Sequence, residues 1–173
     1  PSTHPAKNEI VGWEMVGPKI EAVRDNVSED FVIVYRTCAN LYGYGIDESI
    51  RRINLAKERG ADYAYVDGIK SVGELIKVSE ESKIPLMVNM NEKGFVGGNV
   101  AIEQIREMNF SIGLFPISSM LAASQGMIEV MEALASQGTT LGVSEKMTNP
   151  PTRIHSMMGQ FSLMEKYSPY YDR

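Results

Sequence analysis

Four apolar runs alternate with helical patterns along the chain, and this alternation constrains the fold more than any other feature. The runs read FVIVY, DYAYV, PLMV and SIGLF, and the residues that follow them read RTCA, DG, NMNE and PISS. Strands that alternate with helices form a parallel sheet with right-handed crossovers. All carboxyl ends of such strands lie at one edge, where sites form in these folds. The polar residues are therefore predicted to converge on one crevice.

The spacing of apolar residues predicts the bounds of these units. Strands are predicted at 31–36, 62–66, 85–90 and 111–115. Helices are predicted at 14–26, from an Asp47 cap to Gly60, at 71–81 with Ser71 as its cap, at 100–108 and at 117–136. The first strand has apolar side chains on both faces and is predicted to be buried. The glycine-containing segment 92–99 is predicted to be a mobile loop.

A polar connector at 139–152 leads to a last amphipathic helix, whose apolar positions are Ile154, Met157, Met158, Phe161 and Met164. We therefore divide the chain into βα units at 1–138 and a connector with a helical extension at 139–173. A helix on so long a connector has little to pack against in its own domain. We expect it to pack on a neighbouring subunit.

Composition excludes several classes of protein. The net charge of −5 argues against a nucleic-acid partner, since such binding needs clustered Lys and Arg. No apolar run approaches the length of a membrane span, and the single Cys fits a reducing compartment, so the cytoplasm is expected. A closed (β/α)8 barrel needs roughly 200–250 residues. The 173 residues are enough for four units, which predicts either a small open sheet or half of a barrel.

The polar residues at the strand ends are the candidate site. Arg36 ends an apolar strand, where it could bind an anionic ligand or pair with a carboxylate for structural reasons. Asp67 ends the next strand and could contact a substrate or form that pair. Asn89 offers a donor and an acceptor, and Asn91 and Glu92 follow it, although a surface turn explains Asn91 nearly as well. No metal-ligand spacing and no GxGxxG or Walker motif occurs.

Four motifs at these strand ends resemble one family. They are R-T-C-A, A-D-x4-D-G, N-M-x-E-x-G and F-P-I-S, and they occur in that order. From about Glu9 to Tyr167 the chain resembles the C-terminal half of the isocitrate lyase/phosphoenolpyruvate mutase superfamily, in particular its 2-methylisocitrate lyase-like branch. The resemblance implies an α/β fold of the (β/α)8 TIM-barrel type, here about four C-terminal βα units plus a helical extension. It also implies dimers or tetramers that exchange the C-terminal helix.

The resemblance further implies Mg²⁺-dependent enolate chemistry on small carboxylates. Arg36 would hold a substrate carboxylate, Asp67 would take a place usually held by glutamate, and Asn89 and Asn91 would contact substrate. Glu92 would orient its neighbours, and Arg153 matches an arginine near the C-terminus of 2-methylisocitrate lyases. Ser2 and His4 would be remnants of the catalytic loop. Cys38 and Leu121 depart from the family pattern, and the acidic Mg²⁺ ligands would be absent from this chain.

These observations support one hypothesis and two alternatives. The first is a carbon–carbon lyase-type enzyme for substrates like 2-methylisocitrate, dimethylmalate or oxaloacetate, present as a partial barrel that needs a complementary N-terminal half-barrel or another copy of the chain. The alternatives are a degenerate, non-catalytic scaffold or carboxylate-binding relative, and a phosphoenolpyruvate mutase-type activity. Because enolate chemistry needs a metal, the isolated chain is predicted to be inactive.

Overall fold

The structure is a computed structural model that describes residues 9–147 and 151–168. These residues fall into two compact units, with the division between Ser118 and Ser119. The division predicted at residue 138 stays a prediction. No helix of the described residues is long and apolar enough to cross a membrane.

The first unit is a four-stranded parallel sheet whose strands alternate with helices. The strands are β1 (Val34–Thr37), β2 (Tyr63–Val66), β3 (Leu86–Asn89) and β4 (Phe110–Leu114). The helices are α1 (Trp13–Arg24), α2 (Ile46–Glu58), α3 (Val72–Glu81), α4 (Phe95–Asn99) and α5 (Ile102–Glu107). The strands lie in the order β1-β2-β3-β4, and every neighbouring pair is parallel. The predicted α/β architecture with alternating strands and helices is therefore confirmed.

One face of this sheet forms the core with the helices. Because side chains alternate along a strand, Ala64 and Val66 of β2 point to the same face as Leu86 and Val88 of β3. They pack in a single buried cluster with helix residues, including Ile53, Leu75, Val78 and Ile105. This burial is what holds the strand ends in register.

The opposite face of the sheet is much less buried. Its side chains include Val34, Ile112 and Leu114, which are 40%, 37% and 41% exposed. Phe31 and Val32, before β1, are 54% and 56% exposed. The prediction of a first strand buried on both faces is therefore wrong for the structure described. Apolar residues on both faces allow a strand to be buried, but burial also requires other elements of the fold to pack on each face.

Two local predictions also need correction, and a third is confirmed. The segment 92–99 is not only a loop, because α4 forms within it around the buried Val96. Asp47 lies in the first turn of α2, and Gly45 occupies the cap position without a side-chain hydrogen bond. Ser71 does cap α3, since its Oγ accepts a hydrogen bond of 3.1 Å from the Glu74 N–H.

The second unit is helical. It contains α6 (Ser118–Gln137), a short 3-10 turn at Ser144–Lys146, α7 (Pro151–Met157) and α8 (Gln160–Tyr167). The single last helix expected from the periodicity is broken at Gly159, whose φ of +70° is left-handed. Large apolar side chains in this unit are exposed, among them Met127, Met131, Met157 and Met158 at 62%, 65%, 77% and 75%.

Arg24 ties the end of α1 to the start of β2. Its guanidinium donates to the Gly60 carbonyl at 2.9 Å and to Asp62 Oδ2 at 2.5 Å. Asp62 Oδ2 also accepts from the Ile33 N–H at 2.7 Å. That backbone hydrogen bond, together with Arg24, holds the pKa of Asp62 below its usual value.

Candidate functional site

Four side chains meet at the carboxyl edge of the sheet. Arg36 comes from β1, Tyr65 from β2, Asp67 from the residue after β2, and Asn89 from the end of β3. Arg36 is paired with Tyr65 in the register of β1 and β2, and side-chain alternation places Asp67 on the same face as Tyr65. Three of the four polar strand ends that were predicted to converge therefore meet at this edge.

Hydrogen bonds join these four side chains. The Arg36 Nη2 donates to Asp67 Oδ2, and the Tyr65 hydroxyl donates to Asp67 Oδ1 at 2.9 Å. The Asn89 Nδ2 donates to the Tyr65 oxygen at 3.2 Å. The Arg36 guanidinium carbon also lies 5.5 Å from the centre of the Tyr65 ring, within the range of a cation–π contact. Tyr65 is therefore in contact with all three of the other residues.

The loop after β2 is fixed by a buried amide. Asn40 is 2% exposed, and its Nδ2 donates to the Gly68 carbonyl at 2.7 Å and to Glu74 Oε2 at 2.9 Å. The same Glu74 oxygen accepts from the Lys70 N–H at 2.8 Å. Gly68 has a φ of +80°, which L residues rarely adopt, and its α-carbon lies against the Leu41 backbone. These contacts hold Asp67 in place from the loop side.

A cavity of about 380 Å³ lies beside this cluster. It is lined by residues from the ends of β2 and β3 and from the segments after β1, β2 and β3, including Leu41, Tyr65, Asp67, Asn89, Asn91 and Phe95. Its size and mixed lining suit a small ligand. Arg36 does not line this cavity; it contacts the lining residues Asp67 and Tyr65 from the side, and 45% of its side chain is exposed.

Asp67 stabilises the positive charge of Arg36. Burial lowers the pKa of Arg36, but the hydrogen bond and the negative charge of Asp67 outweigh this and raise the pKa above its ordinary value. Burial raises the pKa of Tyr65 to about 12. The phenol is therefore protonated at neutral pH and can act as a hydrogen-bond donor. The cluster holds a cation, a carboxylate, a neutral phenol and an amide.

The remaining predicted residues lie in different places. Asn91 lines the cavity, and its Oδ1 accepts from the Lys93 N–H at 3.0 Å, as in an ordinary turn. Glu92 is exposed, and the nearby Ser118 hydroxyl lowers its pKa, although that hydroxyl completes no hydrogen bond with a described residue. Arg153 is an exposed residue of α7 in the second unit. Ser2 and His4 lie outside the described residues.

Of the two alternatives for Arg36 and Asp67, the structure contains the ion pair. A ligand role for either residue stays a prediction. Cys38 is half-buried, and its Sγ lies 3.8 Å from Asp67 Oδ2. It is one more group beside that carboxylate.

The described residues do not fit a magnesium ion. Mg²⁺ prefers several oxygen ligands, often carboxylates. No group of three or more His, Cys, Asp or Glu that could hold a metal occurs among the described residues. Asp67, the carboxylate of the cluster, already accepts hydrogen bonds on both oxygens, one from a cation.

Sequence reasoning missed Tyr65. The signal was present, because Tyr65 stands two positions before Asp67 and must therefore point to the same face of the sheet. The apolar run DYAYV by itself predicts an ordinary strand residue at this position, since tyrosine is common in strands. Only the distances show that its hydroxyl joins Asp67 to Asn89.

Known proteins resemble this chain in sequence and in fold. Petal death protein of Dianthus caryophyllus is 33% identical over 141 residues, which are 79% of this chain and 43% of that protein. The 2,3-dimethylmalate lyase of Eubacterium barkeri is 31% identical over 166 residues, which are 94% of this chain and 55% of that protein. A crystal structure of 2,3-dimethylmalate lyase, a PEP mutase/isocitrate lyase superfamily member, matches with a TM-score of 0.78 and 28% identity over 93% of this chain and 56% of that one.

The chain belongs to the isocitrate lyase/PEP mutase superfamily. The predicted family and the predicted TIM-barrel type of α/β fold are thereby confirmed, and the four parallel strands are consistent with a partial barrel. No protein-family model matches the chain. The chain spans about half the length of the curated relatives described above, 43% and 55%.

The superfamily includes carbon–carbon lyases and mutases that act on carboxylates. A structure of phosphonopyruvate hydrolase in complex with oxalate and Mg²⁺ shares the fold, with a TM-score of 0.81 and 22% identity over 98% of this chain and 60% of that one. The segments R-T-C-A, D-G and N-M-N-E of this chain begin at Arg36, Asp67 and Asn89. Two of these residues line the cavity, and all three belong to the cluster.

Proposed function

We propose that this chain supplies the carboxylate-anchoring side of a lyase-type site for small 2-hydroxy or 2-oxo acids. The observation that carries the proposal is the exposed Arg36 guanidinium, held at the carboxyl edge of the sheet beside Tyr65, which in turn contacts Asn89. A guanidinium has five N–H donors, and one of them is used by Asp67. The others can bind a carboxylate without breaking the Arg36–Asp67 pair.

Asp67 gives this arginine a defined direction. An unpaired arginine side chain samples many rotamers, and ordering it on binding costs conformational entropy. The hydrogen bond from Arg36 to Asp67 and the Tyr65 ring beside the guanidinium restrict that freedom in advance. Preorganisation of this kind increases affinity mainly by reducing the ordering cost.

The proposed chemistry is limited to binding and orientation. The relatives that carry lyase names act on carboxylic acids such as 2,3-dimethylmalate and 2-methylisocitrate. Enolate formation from such acids needs a group that stabilises the developing negative charge. The described residues hold no carboxylate cluster for a metal, so we expect this chain alone to bind such acids without turning them over.

The test is a titration of the chain with malate, in which binding is measured by calorimetry or by NMR chemical shifts. Arg36→Gln removes the cation and is expected to weaken malate binding by about tenfold or more, the size of one hydrogen bond to a charged group. Arg51→Gln is the matched control, since Arg51 is a mostly exposed arginine of α2 that pairs with Glu48. Equal malate affinity in Arg36→Gln and in the unaltered chain would disprove the proposal.

Turnover of 2,3-dimethylmalate by the chain with Mg²⁺ would contradict the expected inactivity.

We also propose that the chain works as an assembly in which another copy covers its exposed apolar surfaces. Exposed methionines of α6 and α7 and the exposed face of the sheet support this, because large apolar patches are unusual on monomers. Light scattering after size exclusion should give a multiple of 19.2 kDa. Met131→Glu should lower that mass, whereas Glu107→Gln, at the end of α5, should leave it unchanged. A monomer at all concentrations would refute self-association.

A further inference from the structure

The phenol of Tyr65 determines how two of its neighbours are oriented. An ionised carboxylate can only accept hydrogen bonds, so the bond of 2.9 Å between Tyr65 and Asp67 uses the single hydroxyl proton of Tyr65. The Tyr65 oxygen can then only accept a hydrogen bond from Asn89. The amide nitrogen of Asn89 must therefore face Tyr65, at 3.2 Å, and its carbonyl oxygen must point away.

This orientation leaves one acceptor without a donor. Asn89 Oδ1 is buried and has no hydrogen-bond partner among the residues that the structure describes. Buried acceptors are nearly always paired in native proteins, so an unpaired one calls for an explanation. The Asn89 amide cannot relieve this by turning over, because its oxygen would then face the Tyr65 oxygen, whose proton is already used.

The unpaired oxygen belongs to a residue that lines the cavity next to the proposed carboxylate anchor. A group that satisfies it has to donate a hydrogen bond. The carbonyl of a 2-oxo acid has no proton to donate, whereas the hydroxyl of a 2-hydroxy acid has one. The anchored carboxylate and this hydroxyl are neighbours in a 2-hydroxy acid.

We propose that Tyr65 is a positioning residue that holds Asn89 Oδ1 as an acceptor for a ligand hydroxyl, so that the site prefers 2-hydroxy carboxylates. This inference rests on the proposed function, because it takes a carboxylate bound at Arg36 as its starting point. Tyr65 acts through Asn89 and Asp67 and need not touch the ligand. It differs from Tyr63, a half-buried residue of the same strand and face whose hydroxyl takes no part in this network.

The orientation of Asn89 can be tested without any ligand. In the ¹⁵N-labelled chain, Tyr65→Phe should move the Asn89 side-chain amide signal and speed exchange of its protons with water, because their acceptor is gone. Tyr63→Phe should leave both unchanged. An Asn89 signal that is the same in Tyr65→Phe as in the unaltered chain would overturn the proposed positioning.

The ligand preference is tested with malate and succinate, which differ by one hydroxyl group. The unaltered chain should bind malate more tightly by about threefold to tenfold, as expected for one net hydrogen bond. Tyr65→Phe should reduce this ratio to less than about twofold, and Tyr63→Phe should keep it. A merely structural role of Tyr65 would weaken both ligands alike and leave the ratio unchanged.

Asn89→Ala provides a second variant that leaves Tyr65 intact. It removes the acceptor itself and should also abolish the malate preference. An unchanged ratio in both Tyr65→Phe and Asn89→Ala, or equal binding of malate and succinate by the unaltered chain, would overturn the hydroxyl assignment. If neither acid binds the unaltered chain, the proposed function fails and the hydroxyl assignment with it, while the NMR comparison still decides whether Tyr65 orients Asn89.

Discussion

Gly68 lies where the loop after β2 has the least room for a side chain. Its φ is +80°, and a Cβ atom added there would lie 2.5 Å from Leu41 Cα and 2.7 Å from Leu41 N. Both neighbours are backbone atoms, so they cannot move aside as the end of a flexible side chain can. Replacing Gly68 by alanine should therefore displace the loop that carries Asp67.

Two separate penalties add up in Gly68→Ala. An L residue in a left-handed conformation costs roughly 1–2 kcal/mol, and overpacking of a filled site costs about 1–3 kcal/mol. We expect a loss of about 2–5 kcal/mol in the free energy of unfolding, the sum of these two terms. Gly43→Ala is the matched control, because Gly43 has a φ of +86° and nothing within 4 Å of the added Cβ. It should show only the backbone penalty, about 1–2 kcal/mol.

Urea unfolding followed by circular dichroism measures both variants on the same chain. The midpoint should fall further for Gly68→Ala than for Gly43→Ala, while the slope of the transition stays the same. In Gly68→Ala, the amide signals of residues 67–70 should also shift, since Asn40 binds the Gly68 carbonyl. Equal destabilisation by the two alanines would show that the close approach to Leu41 is not a constraint.

Three further predictions concern stability. Leu75→Ala should destabilise the chain by about 2–5 kcal/mol in urea unfolding because Leu75 is fully buried, while Ile76→Ala, at a position 39% exposed, should cost clearly less. Asn40→Asp replaces the donating amide with a carboxylate next to Glu74 and the Gly68 carbonyl. It should lower the free energy of unfolding by about 1–3 kcal/mol at neutral pH. The pKa of Asp62 is lower in the folded chain than in the unfolded chain. The contribution of Asp62 to folding stability is therefore present above the unfolded pKa and is lost as pH falls through the folded pKa. Asp62→Asn should therefore be less stable than the unaltered chain near neutral pH, by no more than about 1 kcal/mol, and the two unfolding curves should converge below about pH 4; a difference that persists in acid would contradict this.

The predictions that succeeded rest on local regularities. Apolar runs of four or five residues next to helical spacing were enough to predict a parallel sheet with strands near residues 34, 63, 86 and 110. The polar residues after the first three runs identified Arg36, Asp67 and Asn89 as neighbours at one edge. The errors came where packing decides the outcome, as at Val96, whose burial accompanies a short helix inside a glycine-containing segment.

The sequence by itself determined the class of fold, the family and the set of polar side chains at the carboxyl edge, because strand alternation and motif order are properties of the chain alone. Only the tertiary structure decided which of these side chains pair. Whether Arg36 meets Asp67, and whether Tyr65 is a core residue or the link to Asn89, depends on the register of neighbouring strands and on distances of about 3 Å. Residues 24 to 31 positions apart along the chain form these contacts, and no local pattern encodes such distances.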